Sequence, residues 1–128
     1  MMNEETASRT LGGRDPQRAK SVNEEALRIA TERLVAQFRP ERVILFGSQA
    51  RGTADAHSDV DLLVVCSLDT RPGSRRTLMV AMDRALSGLG FARDVIVVTP
   101  EEFERDRHIP GTVARPAWRE GIVLYEAP

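Results

Sequence analysis

The chain has 128 residues, a net charge of −1 and one cysteine, so we expect a single domain whose core needs no disulfide. No run approaches the roughly 18 apolar residues of a membrane-spanning helix, and the near-neutral charge gives no attraction toward nucleic acid, so we expect neither membrane insertion nor direct nucleic-acid binding. A lone cysteine is typical of a reducing compartment, which predicts a cytoplasmic location.

The N-terminal residues are set apart by their composition. Residues 1–20 are polar and contain no apolar signal core, so we interpret them as a disordered or loosely docked arm. Hydrophobic periodicity begins after this segment. The sequence therefore predicts one domain over residues 21–128.

The first half of that domain predicts one helix and two strands. Apolar residues at helical spacing indicate an amphipathic helix over residues 23–38, and Pro40 stops it. A short buried strand over residues 43–46 leads into a helical turn over residues 48–52. A polar loop then precedes a second strand over residues 59–66.

The second half alternates helix and strand. Ser74 is a candidate cap for a second helix, which a glycine at position 88 or 90 ends. A third strand is predicted over residues 91–98, and Thr99 then opens a helix that runs to about His108. A last short helix, disturbed by Pro116, is followed by an edge strand or docked tail.

The connections between the strands predict how they pair. Strands one and two are joined without a full helix, which allows antiparallel pairing, whereas a helix separates strands two and three and favours parallel pairing. We therefore expect an α/β (α+β) fold with a small mixed sheet of three to four strands and helices packed mainly on one face.

Three aspartates are the strongest chemical signal. Asp59 and Asp61 lie two residues apart at the start of the second strand, so their side chains point the same way. Asp94 lies near the start of the third strand, and in register the three carboxylates would converge at one rim of the sheet. Such a group needs a compensating cation, and Mg²⁺ is usual where phosphates complete the ligand shell. The alternatives are solvated or arginine-paired strand-end acids, and for Asp94 an edge-strand charge.

A small turn precedes the acids. Gly47 allows a phosphate to approach the backbone closely, and Ser48 offers a hydroxyl and an amide at the start of a helical turn. Taken alone, this pair would be an ordinary turn. Arg51 could clamp a phosphate or form a salt bridge with an acidic loop, and the sequence does not separate these two roles.

The combined motif resembles the minimal nucleotidyltransferase branch of the DNA polymerase β-like superfamily. The resemblance rests on Gly-Ser-x-Ala-Arg-Gly from residue 47, Ser-Asp-x-Asp-Leu from residue 58, and Arg-Glu-Gly-Ile-Val-Leu-Tyr-Glu over residues 119–126. It implies the polymerase β-like nucleotidyltransferase fold over about residues 23–126.

The resemblance also implies roles for individual residues. Asp59 and Asp61 would hold two Mg²⁺ ions, and Asp94 would bind the metal that activates an acceptor hydroxyl. Gly47 and Ser48 would hold the triphosphate of the nucleotide substrate, ATP. All three acid positions are filled.

Members of this branch often act as antitoxins paired with a helical HEPN-type RNase toxin, which some of them modify with AMP. The leading hypothesis is therefore Mg²⁺-dependent transfer of AMP from ATP to a hydroxyl of a partner protein. It predicts that Asp59→Asn or Asp61→Asn abolishes the transfer. One alternative is a non-catalytic antitoxin that occludes its partner. Another is an aminoglycoside-type transferase, whose acceptor site would have to be small or come from another subunit of a homo-oligomer.

Overall fold

The computed structural model describes residues 24–53 and 59–128, so the N-terminal arm expected over residues 1–20 lies outside the described residues. Helices and strands alternate along the described ranges. In chain order they are α1 (Glu24–Phe38), β1 (Arg42–Phe46), α2 (Ser48–Arg51), β2 (Val60–Val65), α3 (Ser74–Ala85), β3 (Arg93–Val98), α4 (Pro100–Asp106), α5 (Ala114–Glu120) and β4 (Ile122–Glu126).

The described strands form one mixed sheet in the order β3-β2-β1-β4. β1 and β2 pair antiparallel, whereas β2 and β3 pair parallel across the α3 crossover, as the connection lengths predict. β4 pairs antiparallel with β1, so the edge-strand alternative for the C-terminal segment is confirmed. The first and last strands in the chain thus lie side by side.

The two long helices, α1 and α3, pack on one face of the sheet. Their buried residues include Leu27, Leu34 and Met82, and they meet the inward positions of all the strands, Val43, Leu45, Leu62, Val64, Val95, Val97 and Ile122. The apolar stripe of α1 is the periodic one that predicts this helix from the sequence. This cluster is the larger part of the core.

The short helices α4 and α5 cover part of the other face. Phe103 of α4 and the small residues of α5 pack against the alternate strand positions, Ile44, Phe46, Leu63, Val65 and Val98. Because α5 presents alanines to the sheet, it can lie close to β1. Gly121 then brings the chain against Leu45, where any larger residue would meet backbone oxygens.

Several element ends differ from the sequence prediction. The third strand begins at Arg93 rather than two residues earlier, and α4 ends at Asp106. Gly73, not Ser74, is the N-cap of α3, because its positive φ of 79° suits glycine. Pro116 does not disturb α5, since it lies in the first turn, where the missing N–H has no helical partner.

Within the described ranges, no helix is both long enough and apolar enough to cross a membrane.

Candidate active site

The turn after β1 is built around Gly47. Its φ of 76° lies in the region that favours glycine, and its carbonyl accepts hydrogen bonds of 3.1 Å from the amides of Ala50 and Arg51. A Cβ on Gly47 would collide with Oδ2 of Asp61. The absence of a side chain therefore lets an acidic group lie directly against the turn that the sequence singled out.

Asp61 and Asp94 are direct neighbours across the parallel pair. The register of β2 and β3 places them opposite each other, on strands about 4.8 Å apart. Asp61 also lies opposite Phe46, the last residue before the turn. Both acids therefore lie at the same rim of the sheet, beside Gly47.

Both carboxylates face the side of the sheet that α4 and α5 cover. Asp61 lies on the same face of β2 as Leu63, and Asp94 lies on the same face of β3 as Val98. Both of these apolar residues belong to the second cluster. Neither short helix reaches over the rim far enough to bury the acids completely, since Asp61 is half-buried and Asp94 is exposed. The rim is thus open to a ligand.

Asp61 interacts electrostatically with the other three charged residues predicted for the site. Burial is the main cause that raises the pKa of the Asp61 carboxyl above its usual value, and the negative charges of Asp94 and Asp59 raise it further. The positive charge of Arg51 acts in the opposite direction. Asp59 is exposed and lies one residue before β2. The excess of negative charge would be relieved by a bound cation.

The residues at this rim fit a Mg²⁺ ion that a nucleotide helps to hold. Across residues 24–53 and 59–128, no three His, Cys, Asp or Glu side chains stand together as a complete metal cluster. However, Mg²⁺ is commonly bound by one or two carboxylates, with water and substrate phosphates as the other ligands. The paired carboxylates of Asp61 and Asp94 supply oxygen donors of that kind beside the open turn at Gly47.

Arg51 makes an ion pair, which is one of the two roles that the sequence leaves open, but its partner lies at the end of a helix and not in an acidic loop. Its Nη1 lies 3.8 Å from Oε1 of Glu120, the last residue of α5, and the two side chains are 49% and 53% exposed. An exposed pair of this kind contributes at most about 1 kcal/mol. Arg51 is therefore held only loosely by Glu120, and its positive charge acts on Asp61.

Sequence reasoning missed Glu120 as a neighbour of the site. An acid at the end of a short helix carries no signal of its own, and its partner lies 69 positions earlier in the chain. Only the packing of α5 against β1 brings the two together. The loop over residues 54–58, which contains Ser58 of the motif, lies outside the described residues.

Comparison with known proteins supports the fold. A protein from Sulfolobus solfataricus, provisionally described as a nucleotidyltransferase, superposes with a TM-score of 0.55 at 21% identity, covering 90% of this chain and 92% of that one. A chain from the crystal structure of a toxin–antitoxin with AMP-PNP superposes with a TM-score of 0.51 at 18% identity, covering 83% of this chain and 75% of that one. No curated protein sequence is significantly similar.

The sequence itself gives the family. The family model of a nucleotidyltransferase domain matches residues 27–116, which is most of the chain. The matched segment includes the Gly47 turn, Arg51 and all three aspartates. The fold, the turn and the acid pair agree with this match, and the chain belongs to the nucleotidyltransferase domain family.

Proposed function

We propose that the protein transfers AMP from ATP to a hydroxyl group of a partner protein, in a reaction that requires Mg²⁺. The observation that carries the proposal is the placement of Asp61 beside both Asp94 and the side-chain-free turn at Gly47. Paired acids next to a small turn are what metal-assisted transfer of a phosphorus group requires.

Each residue of the site has a distinct role in this proposal. The backbone of Gly47 and the hydroxyl of Ser48 bind the triphosphate, and Arg51 leaves Glu120 to contact a phosphate oxygen. Asp59, Asp61 and Asp94 would hold the two Mg²⁺ ions, which neutralise the triphosphate and polarise the acceptor hydroxyl. Of the acid pair, Asp94 is the more exposed, so it faces the incoming acceptor.

The transfer step is a displacement at the α-phosphorus. The acceptor oxygen forms a bond to the α-phosphorus, and the bond from that phosphorus to the oxygen bridging the β-phosphate breaks. Pyrophosphate leaves, and the hydroxyl proton passes to the carboxylate of Asp94, which acts as the base. The open rim admits an acceptor from outside the domain, which suits a side chain on another protein.

A toxin–antitoxin pair is the context that we propose. The chain from a toxin–antitoxin structure with AMP-PNP establishes by its likeness only the fold. Its context supports our proposal of ATP as the substrate and of a toxin as the partner. The partner would be a HEPN-type toxin, as the sequence resemblance implies, and the modified group one of its hydroxyls.

The proposal is tested by label transfer. The protein is incubated with Mg²⁺, the candidate partner and ATP labelled at either the α- or the γ-phosphate. We expect the α-label to appear on the partner and the γ-label to remain in pyrophosphate. Transfer of the γ-label instead would identify phosphoryl transfer and contradict the proposal.

Asparagine variants assign the chemistry to the acid pair. Asp61→Asn and Asp94→Asn each should lower the transfer rate by at least about a hundredfold, because each removes an oxygen charge needed at the reacting centre. Asp106→Asn is the matched control, since the Asp106 side chain hydrogen-bonds its neighbour Arg105 in the described ranges and its charge does not act on Asp61. Full activity in either variant of the acid pair would refute the assignment.

A further inference from the structure

A groove runs along the outer side of α3, on the face of the sheet away from the acids. Two adjoining depressions, of about 460 and 630 Å³, share Thr77 and Ala81 as lining residues. The second also contacts Gln37 near the end of α1. The groove therefore follows the helix axis, with α3 as its floor, the end of α1 beside the second depression and the loop over residues 67–72 beside the first.

Two arginines and an exposed valine form a stripe along this groove. Arg76, Val80 and Arg84 are each four residues apart on α3, so the stripe is about 12 Å long. All three line the second depression. Val80 is 44% exposed, and it is one of three large apolar side chains that the described part of the chain leaves exposed.

Ion pairing within the described part of the chain does not account for these arginines. Other arginines nearby have partners within the domain, as Arg75 has Glu102 and Arg93 has Asp83. Neither Arg76 nor Arg84 makes a side-chain hydrogen bond or ion pair with any residue in the described ranges. Arg76 lies in the first turn of α3, where the helix dipole disfavours a positive charge, whereas Arg84 lies in the last turn, where the dipole favours one.

We propose that this groove docks an amphipathic helix of a partner protein, with acidic residues on both sides of an apolar one. A helix packs beside α3 at about 8–10 Å between axes, so carboxylates four residues on either side of an apolar residue reach Arg76 and Arg84. The apolar residue covers Val80. The complementary charges set the register and the choice of partner.

The occupant is a protein because the stripe is both basic and apolar. A nucleic-acid backbone would match the arginines but would offer nothing to Val80. The groove is formed by α3, the end of α1 and the loop before α3, whereas Asp61 and Asp94 point to the opposite face of the sheet. A partner held in the groove leaves the acids open, so this docking goes beyond the proposed transfer reaction and does not depend on it.

A synthetic helical peptide tests the docking directly. Its sequence places Glu, Leu and Glu four residues apart, a pattern that is the same in both orientations, and a second peptide carries Lys in place of Glu. Binding to the full chain is followed by fluorescence anisotropy. We expect the Glu peptide to bind at least about tenfold more tightly than the Lys peptide.

Charge reversal provides the decisive comparison. The double variant Arg76→Glu/Arg84→Glu should bind the Glu peptide at least about tenfold more weakly than the wild type does. It should bind the Lys peptide at least about tenfold more tightly. Arg39→Glu/Arg119→Glu is the matched control, because these exposed arginines also make no side-chain ion pair in the described ranges and lie outside the groove. It should behave like the wild type.

Three results would overturn the docking proposal. One is equal binding of the two peptides to the wild type, and another is the same effect from the control variant. The third is tighter binding of a single-stranded RNA of similar length than of the Glu peptide, if the Arg76→Glu/Arg84→Glu variant no longer binds that RNA. This result would assign the stripe to nucleic acid. Circular dichroism confirms that each variant is folded.

Discussion

Asp61 and Asp94 are register partners on the parallel strands β2 and β3, with like charges on one rim of the sheet. Two carboxylates in this position do not stabilise the fold, because their charges repel and Asp61 is half-buried. The arrangement therefore costs free energy in the absence of a cation, which is typical of a functional site.

That cost should be measurable in the unliganded protein. Asp61→Asn removes the charge that burial, Asp94 and Asp59 all disfavour, so we expect the free energy of unfolding to rise by about 0.5 kcal/mol at neutral pH. Urea unfolding without Mg²⁺ measures the change. Asp83→Asn is the control, since it removes an ion pair to Arg93 and should not stabilise the protein. Destabilisation by Asp61→Asn would contradict the account.

Gly47→Ala should damage both stability and activity. The new Cβ meets the Asp61 carboxylate and must also adopt a φ of 76°, so we expect a loss of about 2–3 kcal/mol in the free energy of unfolding. Gly52→Ala is the matched control, because its φ is 77° but nothing lies within 4 Å of the added Cβ. The difference between the two variants isolates the contact with the acid, and equal losses would show that this contact is unimportant.

Glu120→Gln should act on the nucleotide through Arg51. The ion pair is exposed, so we expect the free energy of unfolding to change by less than about 0.5 kcal/mol. Without the competing carboxylate, Arg51 is free for a phosphate, and the KM for ATP should fall by about two- to fivefold. Steady-state kinetics in the wild-type and Arg51→Ala backgrounds tests the coupling. The same change of KM in both backgrounds would show that Glu120 does not act through Arg51.

Glu102 should make stability depend on acid pH. Arg75 donates hydrogen bonds of 2.8 and 2.7 Å to this carboxylate, and Thr99 donates from its amide, which together lower the pKa of Glu102 to about 2. Because the folded-state pKa lies below the unfolded one, this stabilisation is complete above about pH 4.5 and is lost as pH falls toward 2.

Glu102→Gln tests the acid dependence. We expect a loss of about 1 kcal/mol in the free energy of unfolding at pH 7, reduced from the full pKa shift because the Arg75 side chain is 42% exposed and solvent screens the pair. Urea unfolding from pH 7 down to pH 3 should show the wild type approaching the variant as the solution becomes more acidic. A constant difference across this range would mean that Glu102 is not the titrating group.

The sequence predicted the parts of this fold that depend on local pattern. Continuous apolar runs identified β2 and β3, and the Thr99–Glu102 capping box correctly opened α4. Connection lengths then gave the mixed pairing of the sheet. Together these predicted that Asp59, Asp61 and Asp94 would converge at one rim. The register pairs Asp61 with Asp94, but the described residues contain no group of three such side chains placed to hold a metal.

Contacts between distant segments could not be predicted in the same way. The ion pair from Arg51 to Glu120 depends on how α5 packs against β1, and no local pattern encodes that distance. The unpaired state of Arg76 and Arg84 is also invisible in a sequence that contains many possible acidic partners. The assignment of metal and triphosphate to the rim remains a proposal.

The most direct test of that assignment is paramagnetic broadening of amide signals by Mn²⁺ in the presence of AMP-PNP, measured by NMR. If the acids hold the metal, the signals of Asp61, Asp94 and Gly47 should broaden strongly. Those of Val65 and Val98, at the other end of β2 and β3, should broaden far less, and Asp61→Asn should remove the effect. Broadening that is absent from the rim, or that is unchanged in Asp61→Asn, would contradict the proposed metal site.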